Sequence, residues 1–248
     1  DFERDVIEPY VADHAAGRTP NPCIECNRHL KFDRLVRRAD ALGFDMIATG
    51  HHARVVSTPA GPRLGRGVDA AKDQSYVLHV IEESVLARML LPVGELTKAD
   101  VRRLAMDLDL RTAQKPESQD VCFITNEHGR AAFLGQRIPL KPAAVVDRSG
   151  EQVGQVDSVE MVTIGQRKGL GLAGGTDPKY VVDVDVTAEG DRRVMIGEKA
   201  DLVAPVTELE SWRWVGEPVD GPLRFQCSAH GRVESGRIED GRRGVWDE

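Results

Sequence analysis

Helical periodicity runs through this chain up to about Phe133 and then fades, and short β-prone runs separated by glycine replace it. Periods of 3.6 and 2 bury different faces, so the two parts need different partners to form a core. At 248 residues the chain exceeds one typical domain, and two or three are expected. The reading places a first domain over residues 1–127, a small β-rich domain over 128–190 and a second β-patterned stretch over 191–248.

In the first part, Asp1 to His14 is helix-like, with Val6, Tyr10 and Val11 on one stripe. A turn-rich loop follows from Gly17 to Pro22. Arg28 to Leu42 then reads as an amphipathic helix, with Leu30, Leu35 and Ala39 inward, Arg34, Arg37 and Arg38 outward, and Gly43 as its stop. Met46-Ile-Ala-Thr is a short apolar strand running into Gly50-His51-His52. A strand that ends in glycine and polar residues is where open α/β sheets hold ligands. Further short elements are expected at Arg63–Gly67 and Ser75–Val80, around the loop Asp69 to Gln74. Leu91-Pro-Val-Gly-Glu-Leu reads as a turn, and Thr97 as the cap of a helix from Lys98 to Leu108 that buries Val101, Leu104 and Leu108. Beyond Phe133, strands are expected at Ala143–Asp147, Val159–Ile164, Tyr180–Val186 and Arg193–Ile196. Trp212, Trp214, Leu223, Phe225 and Cys227 are the candidate core of the last stretch. With no leader before the first helix and strand-like material at Glu248, the chain reads as a piece of a longer protein.

A net charge of -7 argues against a general nucleic-acid binder, although 33 lysines and arginines leave room for a local positive face. No apolar run approaches the twenty or so residues needed to cross a bilayer, and no signal peptide opens the chain. A cytoplasmic protein is expected. Thiols stay reduced there, so conspicuous cysteines point to catalysis or metal.

Two of the four cysteines sit in dense words. Cys26 lies in Gly-Arg-Thr-Pro-Asn-Pro-Cys-Ile-Glu-Cys-Asn-Arg, and Cys122 in Lys-Pro-Glu-Ser-Gln-Asp-Val-Cys-Phe-Ile. Cys23 and Cys26 form a C-x-x-C with three readings. One is a zinc half-site, which needs two more ligands. Another is a redox pair. The third sets Cys26 against Cys122, since thiol exchange needs one sulfur to carry a group and one to displace it. On that reading Asn27 and Arg28 open a helix whose N-terminus favours the thiolate. Cys122 beside Phe123 and Ile124 is either inert core or, given Ser118, Gln119 and Asp120, a thiol at a solvent-facing loop. Gly50 permits close approach of a flat ligand or a phosphate. Lys72-Asp73-Gln74 is a cation, an acceptor and an amide in one loop. Gln166-Arg167-Lys168-Gly169 is a basic turn suited to phosphate.

Together these words are far more specific than any one of them. Arg18-Thr-Pro-Asn-Pro with Cys26-Asn-Arg and Lys31-Phe32 comes first, followed by Ala48-Thr-Gly-His-His-Ala-Arg, Lys72-Asp-Gln-Ser-Tyr and Pro92-Val-Gly-Glu-Leu. Cys122-Phe-Ile and Ile164-Gly-Gln-Arg-Lys-Gly-Leu-Gly complete the order. From Gly17 to Val186 the chain closely resembles the tRNA-specific 2-thiouridylase family. That resemblance implies an incomplete Rossmann-like α/β nucleotide-binding domain of the adenine nucleotide alpha hydrolase type, a small β-rich central domain and a partial C-terminal β-barrel. It implies ATP and magnesium as cofactors, with adenylation of the wobble uridine at C2. It also implies tRNA as partner and a sulfur-relay donor protein or cysteine desulfurase as the source of sulfur.

Residue by residue, Cys122 matches the persulfide cysteine and Cys26 the cysteine that helps release its sulfur, so that the two can end as a disulfide. Gly50 matches a nucleotide position. Asn21, Pro22 and Cys23 match the segment at the target base, and His51, Lys72, Asp73 and Gln74 match tRNA-contacting positions. A base modified within its ring must first be flipped into a pocket. Three departures stand out. The family's Ser-Gly-Gly-Val-Asp-Ser pyrophosphate loop belongs upstream of Asp1, so this chain alone is expected to bind ATP poorly. Cys23 stands where many members carry aspartate. The end of the chain, around Ala229-His230, lacks a clear match to the tRNA-contacting segment. The rival reading is a zinc-stabilised nucleic-acid-binding module without catalysis. On an acidic chain, tRNA needs a local cationic face, for which Arg34, Arg37, Arg38, Arg102, Arg103, Arg167 and Lys168 are the candidates. tRNA affinity of the full-length protein should therefore fall steeply with salt, and a flat profile in a filter-binding titration would remove this face.

Overall fold

A computed structural model describes residues 1–115, 121–124, 129–174, 177–186, 192–204, 206–210, 214–219, 221–229 and 231–247. In chain order the helices are α1 (Glu8–Ala15), α2 (Pro22–Glu25), α3 (Arg34–Leu42), α4 (Glu83–Leu86), α5 (Lys98–Asp107) and α6 (Gly129–Gly135). The strands are β1 (Ile47–Ala48), β2 (Ala53–Thr58), β3 (Gly61–Arg66), β4 (Met89–Leu90), β5 (Ala143–Val146), β6 (Gln152–Val156), β7 (Tyr180–Asp185), β8 (Arg193–Gly197), β9 (Val206–Glu208), β10 (Leu223–Gln226), β11 (Val233–Glu239) and β12 (Arg243–Trp246). They assemble into two compact units. One takes Asp1–Pro22 with Gln119–Ala204, the other Cys23–Ser118 with Pro205–Glu248.

The first unit is built on a mixed sheet of order β6-β5-β8-β7. β5 pairs with β6 antiparallel and with β8 parallel, and β7 returns antiparallel to β8. Alternation along these strands sends Val145, Val156, Val181, Val194 and Ile196 into one core with Val159, Val162 and Leu170. Val159–Met161 is a 3₁₀ turn where the sequence pattern predicts a strand. Lys141 explains it: its carbonyl takes the Val159 N–H (2.9 Å) and its N–H meets Glu160 Oε2 (3.0 Å), which curls the segment. The opening helix packs against the same unit through Val6, Ile7, Tyr10 and His14, with Val11 only partly buried. His14 Nδ1 donates to the Glu160 carbonyl at 2.9 Å. Burial holds its pKa below the ordinary histidine value.

In the second unit, β1 and β4 pair in parallel, and β2 and β3 form an antiparallel hairpin. A separate antiparallel sheet has the order β10-β11-β12-β9. Leu78, Leu86, Met89, Ile47, Ala53, Phe32 and Ala39 form the core. Each fully buried aliphatic side chain there contributes about 1.5–3 kcal/mol. The helix expected from Arg28 starts earlier, at Pro22, and runs as α2, a π-helical stretch (Cys26–Asp33) and α3. Gly43 ends it in the left-handed region, at φ 73°. The inward stripe is Phe32, Val36 and Ala39, whereas Leu35 is exposed. The π-helical residues shift the phase that a 3.6 period assumes.

Two other expectations are corrected. Thr97 does cap α5 in a reciprocal box with Asp100, but Leu104 and Leu108 are exposed at 44% and 69%, so no buried face forms among the described residues. Cys227 is exposed rather than core, and Phe225 packs edge-on against Trp246 (4.9 Å between centroids) instead. Trp212 lies outside the described residues, and Trp214 and Leu223 are half-buried.

The Pro92-Val-Gly-Glu-Leu word has a packing reason. A Cβ on Gly94 would lie 1.7 Å from the Ala53 carbonyl oxygen, so only glycine lets this turn approach β2. Gly94→Ala should cost about 3 kcal/mol or more, read as a lowered urea midpoint with unchanged slope.

Candidate active site

Pro22 suits the first position of α2, where its missing N–H costs nothing, and asparagine is favoured just before a first turn. Cys23 and Cys26 are three residues apart on this helical run and both half-buried. Cys26 therefore lies past the first turn. The expectation that Asn27 and Arg28 open the helix is overturned, and with it the helix-terminus argument for a thiolate, because that effect fades within the first turn. Asn27 is buried and donates from Nδ2 to the Val77 carbonyl at 3.0 Å, which pins the run beside the cysteine to the core. Its Oδ1 has no partner among the described residues.

β1 ends at Ala48 and delivers Thr49, Gly50, His51 and His52. His51 is 6% exposed, with its ring 5.9 Å from that of Phe32. Its Nε2 lies 3.3 Å from Lys31 Nζ and its Nδ1 2.8 Å from Thr49 Oγ1. An ammonium can only donate. Nε2 is thus the acceptor, and the ring proton sits on Nδ1 and points at the threonine oxygen. Burial first, and the Lys31 charge second, push the His51 pKa down to about 4. Gly50 is exposed and no described residue lies within 4 Å of where its Cβ would stand, so no contact among the described residues accounts for glycine there.

The Lys72-Asp73-Gln74 segment locks onto this loop. Gln74 donates its N–H to the His52 carbonyl and accepts the His52 N–H at Oε1, both at 2.9 Å. Asp73 Oδ1 accepts from the N–H groups of Gly67 (2.9 Å) and Ser75 (3.2 Å), and its Oδ2 accepts the Ser75 hydroxyl at 2.8 Å. Asp73 and Gln74 are thereby engaged in holding the loop, while Lys72 is half-buried beside them, its N–H bonded to the Asp69 carbonyl at 3.0 Å.

Cys122 belongs to the other unit, in a turn closed by the Ile124 N–H on the Val121 carbonyl at 3.1 Å. Phe123 is seated among Phe2, Tyr10 and Phe133, at centroid distances of 5.6, 5.5 and 5.3 Å. Cys122 itself is exposed, which rules out the inert-core reading. Ser118, Gln119 and Asp120, and likewise His230, lie outside the described residues. None of Cys23, Cys26, Cys122 and Cys227 forms a disulfide. Among the described residues no three His, Cys, Asp or Glu side chains converge on a metal position. Arg37 and Arg103 of the expected cationic face each pair with an aspartate on the same helix, Asp33 at 2.5 Å and Asp100 at 2.7 Å. Arg167 and Lys168 are exposed on their turn, which Gln166 braces by donating from Nε2 to the Lys168 carbonyl at 2.9 Å.

Residues 1–126 match the model of the tRNA methyl transferase HUP domain, and residues 131–197 that of the tRNA methyl transferase PRC-barrel domain. A tRNA-specific 2-thiouridylase MnmA from Mycolicibacterium smegmatis is 43% identical over 97% of this chain and 68% of its own length. Those of Carboxydothermus hydrogenoformans (45%, over 94% of the chain) and Thermobifida fusca (41%, over 96%) each match over 64% of their length. The chain belongs to the tRNA-specific 2-thiouridylase family. It spans about two thirds of the length of these relatives. The fold class read from the sequence stands: an α/β nucleotide-binding HUP domain precedes a PRC-barrel-type β domain, whose sheet is not closed among the described residues. The HUP match takes in both cysteine words and the Gly50 loop. No helix among the described residues is long and apolar enough to cross a membrane.

Sequence reasoning missed Thr49, Lys31 and Asn27 as parts of the site. Lys31 stands five residues after Cys26, a spacing that shares a face only in a π turn and leaves no mark in a 3.6 period. His51 also has a measurable signature. Its pKa falls from 6.5 to about 4 on folding, so the unfolded chain binds more protons between those values. Stability contributed by the neutral ring is whole above about pH 6.5 and is lost as the pH falls toward about 4. Urea midpoints measured across that window should decline, and His51→Phe should flatten part of the slope.

Proposed function

We propose that this protein is a tRNA 2-thiouridylase, which places sulfur on C2 of the wobble uridine of tRNA at the expense of ATP. The HUP match and the names of its relatives support a nucleotide-using enzyme acting on tRNA. The matched models carry the word methyl transferase. Two cysteines in separate dense words, neither held in a disulfide, favour sulfur chemistry instead. The observation that carries the reading is Cys122, exposed and reduced while the neighbouring Phe123 is anchored among three rings.

Bound ATP would supply the activated C2–O–AMP leaving group. Gly50, open above and at the end of a parallel strand, suits the approach of that nucleotide. With no carboxylate cluster among the described residues, magnesium would arrive with the phosphates, as it commonly does. Cys122 carries the incoming sulfur as a persulfide, taken from a relay protein or a cysteine desulfurase that its exposure lets approach. Cys26 then attacks the inner sulfur of that persulfide. The S–S bond of the persulfide breaks, a Cys26–Cys122 disulfide forms, and hydrosulfide is released to displace AMP at C2. The two cysteines supply the two electrons that reduce the sulfane sulfur. Asn21, Pro22 and Cys23 would face the target base, and the Lys72 to Gln74 segment would meet the tRNA through Lys72, with Asp73 and Gln74 bracing the loop that presents it. The compartment would be the cytoplasm, where tRNA is modified and an external reductant can reset the disulfide.

The test uses the full-length protein with tRNA, ATP, magnesium and a persulfide donor. Cys122→Ser should abolish 2-thiouridine, measured by nucleoside mass spectrometry, and leave tRNA affinity within about twofold, a change well below 1.4 kcal/mol. Continued thiolation by this variant would remove Cys122 from the role.

A further inference from the structure

We propose that Lys31 is an anion-binding residue of this site: its ammonium, fixed beside the Gly50 loop by the neutral ring of His51, takes a phosphate oxygen. The inference rests on the function proposed above, because the phosphate belongs to either the nucleotide or the tRNA.

The argument starts from an unusual pairing. Lys31 is exposed, and an exposed lysine ordinarily keeps its rotamer freedom or settles on a carboxylate. Here its Nζ rests 3.3 Å from an imidazole nitrogen, and no carboxylate pairs with it among the described residues. An imidazole acceptor orders the chain without cancelling its charge. The acceptor is itself fixed: Thr49 Oγ1, 2.8 Å from Nδ1, sets the tautomer, and Phe32 flanks the buried ring. A positive charge is thus held in place and, among the described residues, left without a carboxylate counter-ion, next to a strand end and to a glycine that no described residue covers within 4 Å. Lysine commonly serves phosphate as such a point charge. His51 has both ring nitrogens committed within the protein, so its part is that of a positioning residue acting through Lys31. Cys26 stands one π turn earlier on the same run, which puts the charge and the thiol on one side of the helix.

The experiment compares full-length wild type with Lys31→Met, His51→Phe and the double variant, and thiolation by wild type is assayed alongside. AMP binding is measured by calorimetry and tRNA binding by filter assay from low to moderate salt. Loss of about ten- to a hundredfold in AMP affinity on Lys31→Met, the size of one charge-assisted hydrogen bond, supports the proposal with the nucleotide as source. A tRNA salt slope reduced by about one supports it with the RNA backbone as source. In either case His51→Phe should lose part of the same parameter, and the double variant should be no worse than Lys31→Met, because the histidine acts only through the lysine. If Lys31→Met changes neither quantity, or if the two losses add in full, the proposal is overturned. Failure of wild type to thiolate tRNA while Lys31→Met still weakens either probe would remove the function and leave the anion site standing. If wild type binds neither probe, both fall.

Discussion

Gln74 closes a two-bond ring with the backbone of His52, and the loop after β1 keeps its course because of it. β1 is only two residues long, so its pairing with β4 fixes little beyond Ala48. Thr49, Gly50 and His51 are held from outside: by Gln74 on one flank, by the Asp73 carboxylate that gathers the N–H groups of Gly67 and Ser75, and by the turn at Gly94 pressed onto β2. Once the loop is fixed, the His51 ring is buried and the Lys31 ammonium has somewhere to rest. A loop this constrained presents backbone and charge without needing to reorganise when a ligand arrives.

Most of the regular elements could be read from local pattern. Thr97 with Asp100 marks the start of α5, Gly43 marks the end of α3, and the alternation in Tyr180 to Asp185 gives β7. What escaped depended on distant partners. Val159 to Met161 has the composition of a strand, but Lys141 bends it into a turn. Leu104 and Leu108 carry the helical period of a buried face and remain exposed, since amphipathic spacing says which side is apolar and not whether anything covers it. The start of the long helix was misplaced because Pro20 and Pro22 read as breakers, although proline is at home in a first turn.

The site was partly legible. The cysteine words, Gly50 and the Lys72 to Gln74 segment could be picked out as words, but their division of labour could not. Asp73 and Gln74 are polar residues that a sequence shows as available for a ligand, and folding commits them to backbone groups. His51 is similar: an apparent contact residue whose ring is turned inward. Lys31 is the converse. Lys31-Phe32 belongs to the family's words, but what the lysine does shows only once Thr49 and His51 are placed around it. Polar chemistry at a site is divided between groups that build it and groups that face outward, and only the hydrogen-bond partners tell them apart.

The π-helical stretch between α2 and α3 carries one more consequence. Such a stretch accommodates an extra residue within an otherwise ordinary helix. Winding these same residues as regular α-helix, with none removed, would leave the helix unbroken, yet everything on its N-terminal side would swivel by about 100° relative to Phe32 and Ala39. The chain would remain folded with its thiol aimed at the wrong quarter, so in this part of the molecule the spacing of the sequence is as strictly set as its chemistry.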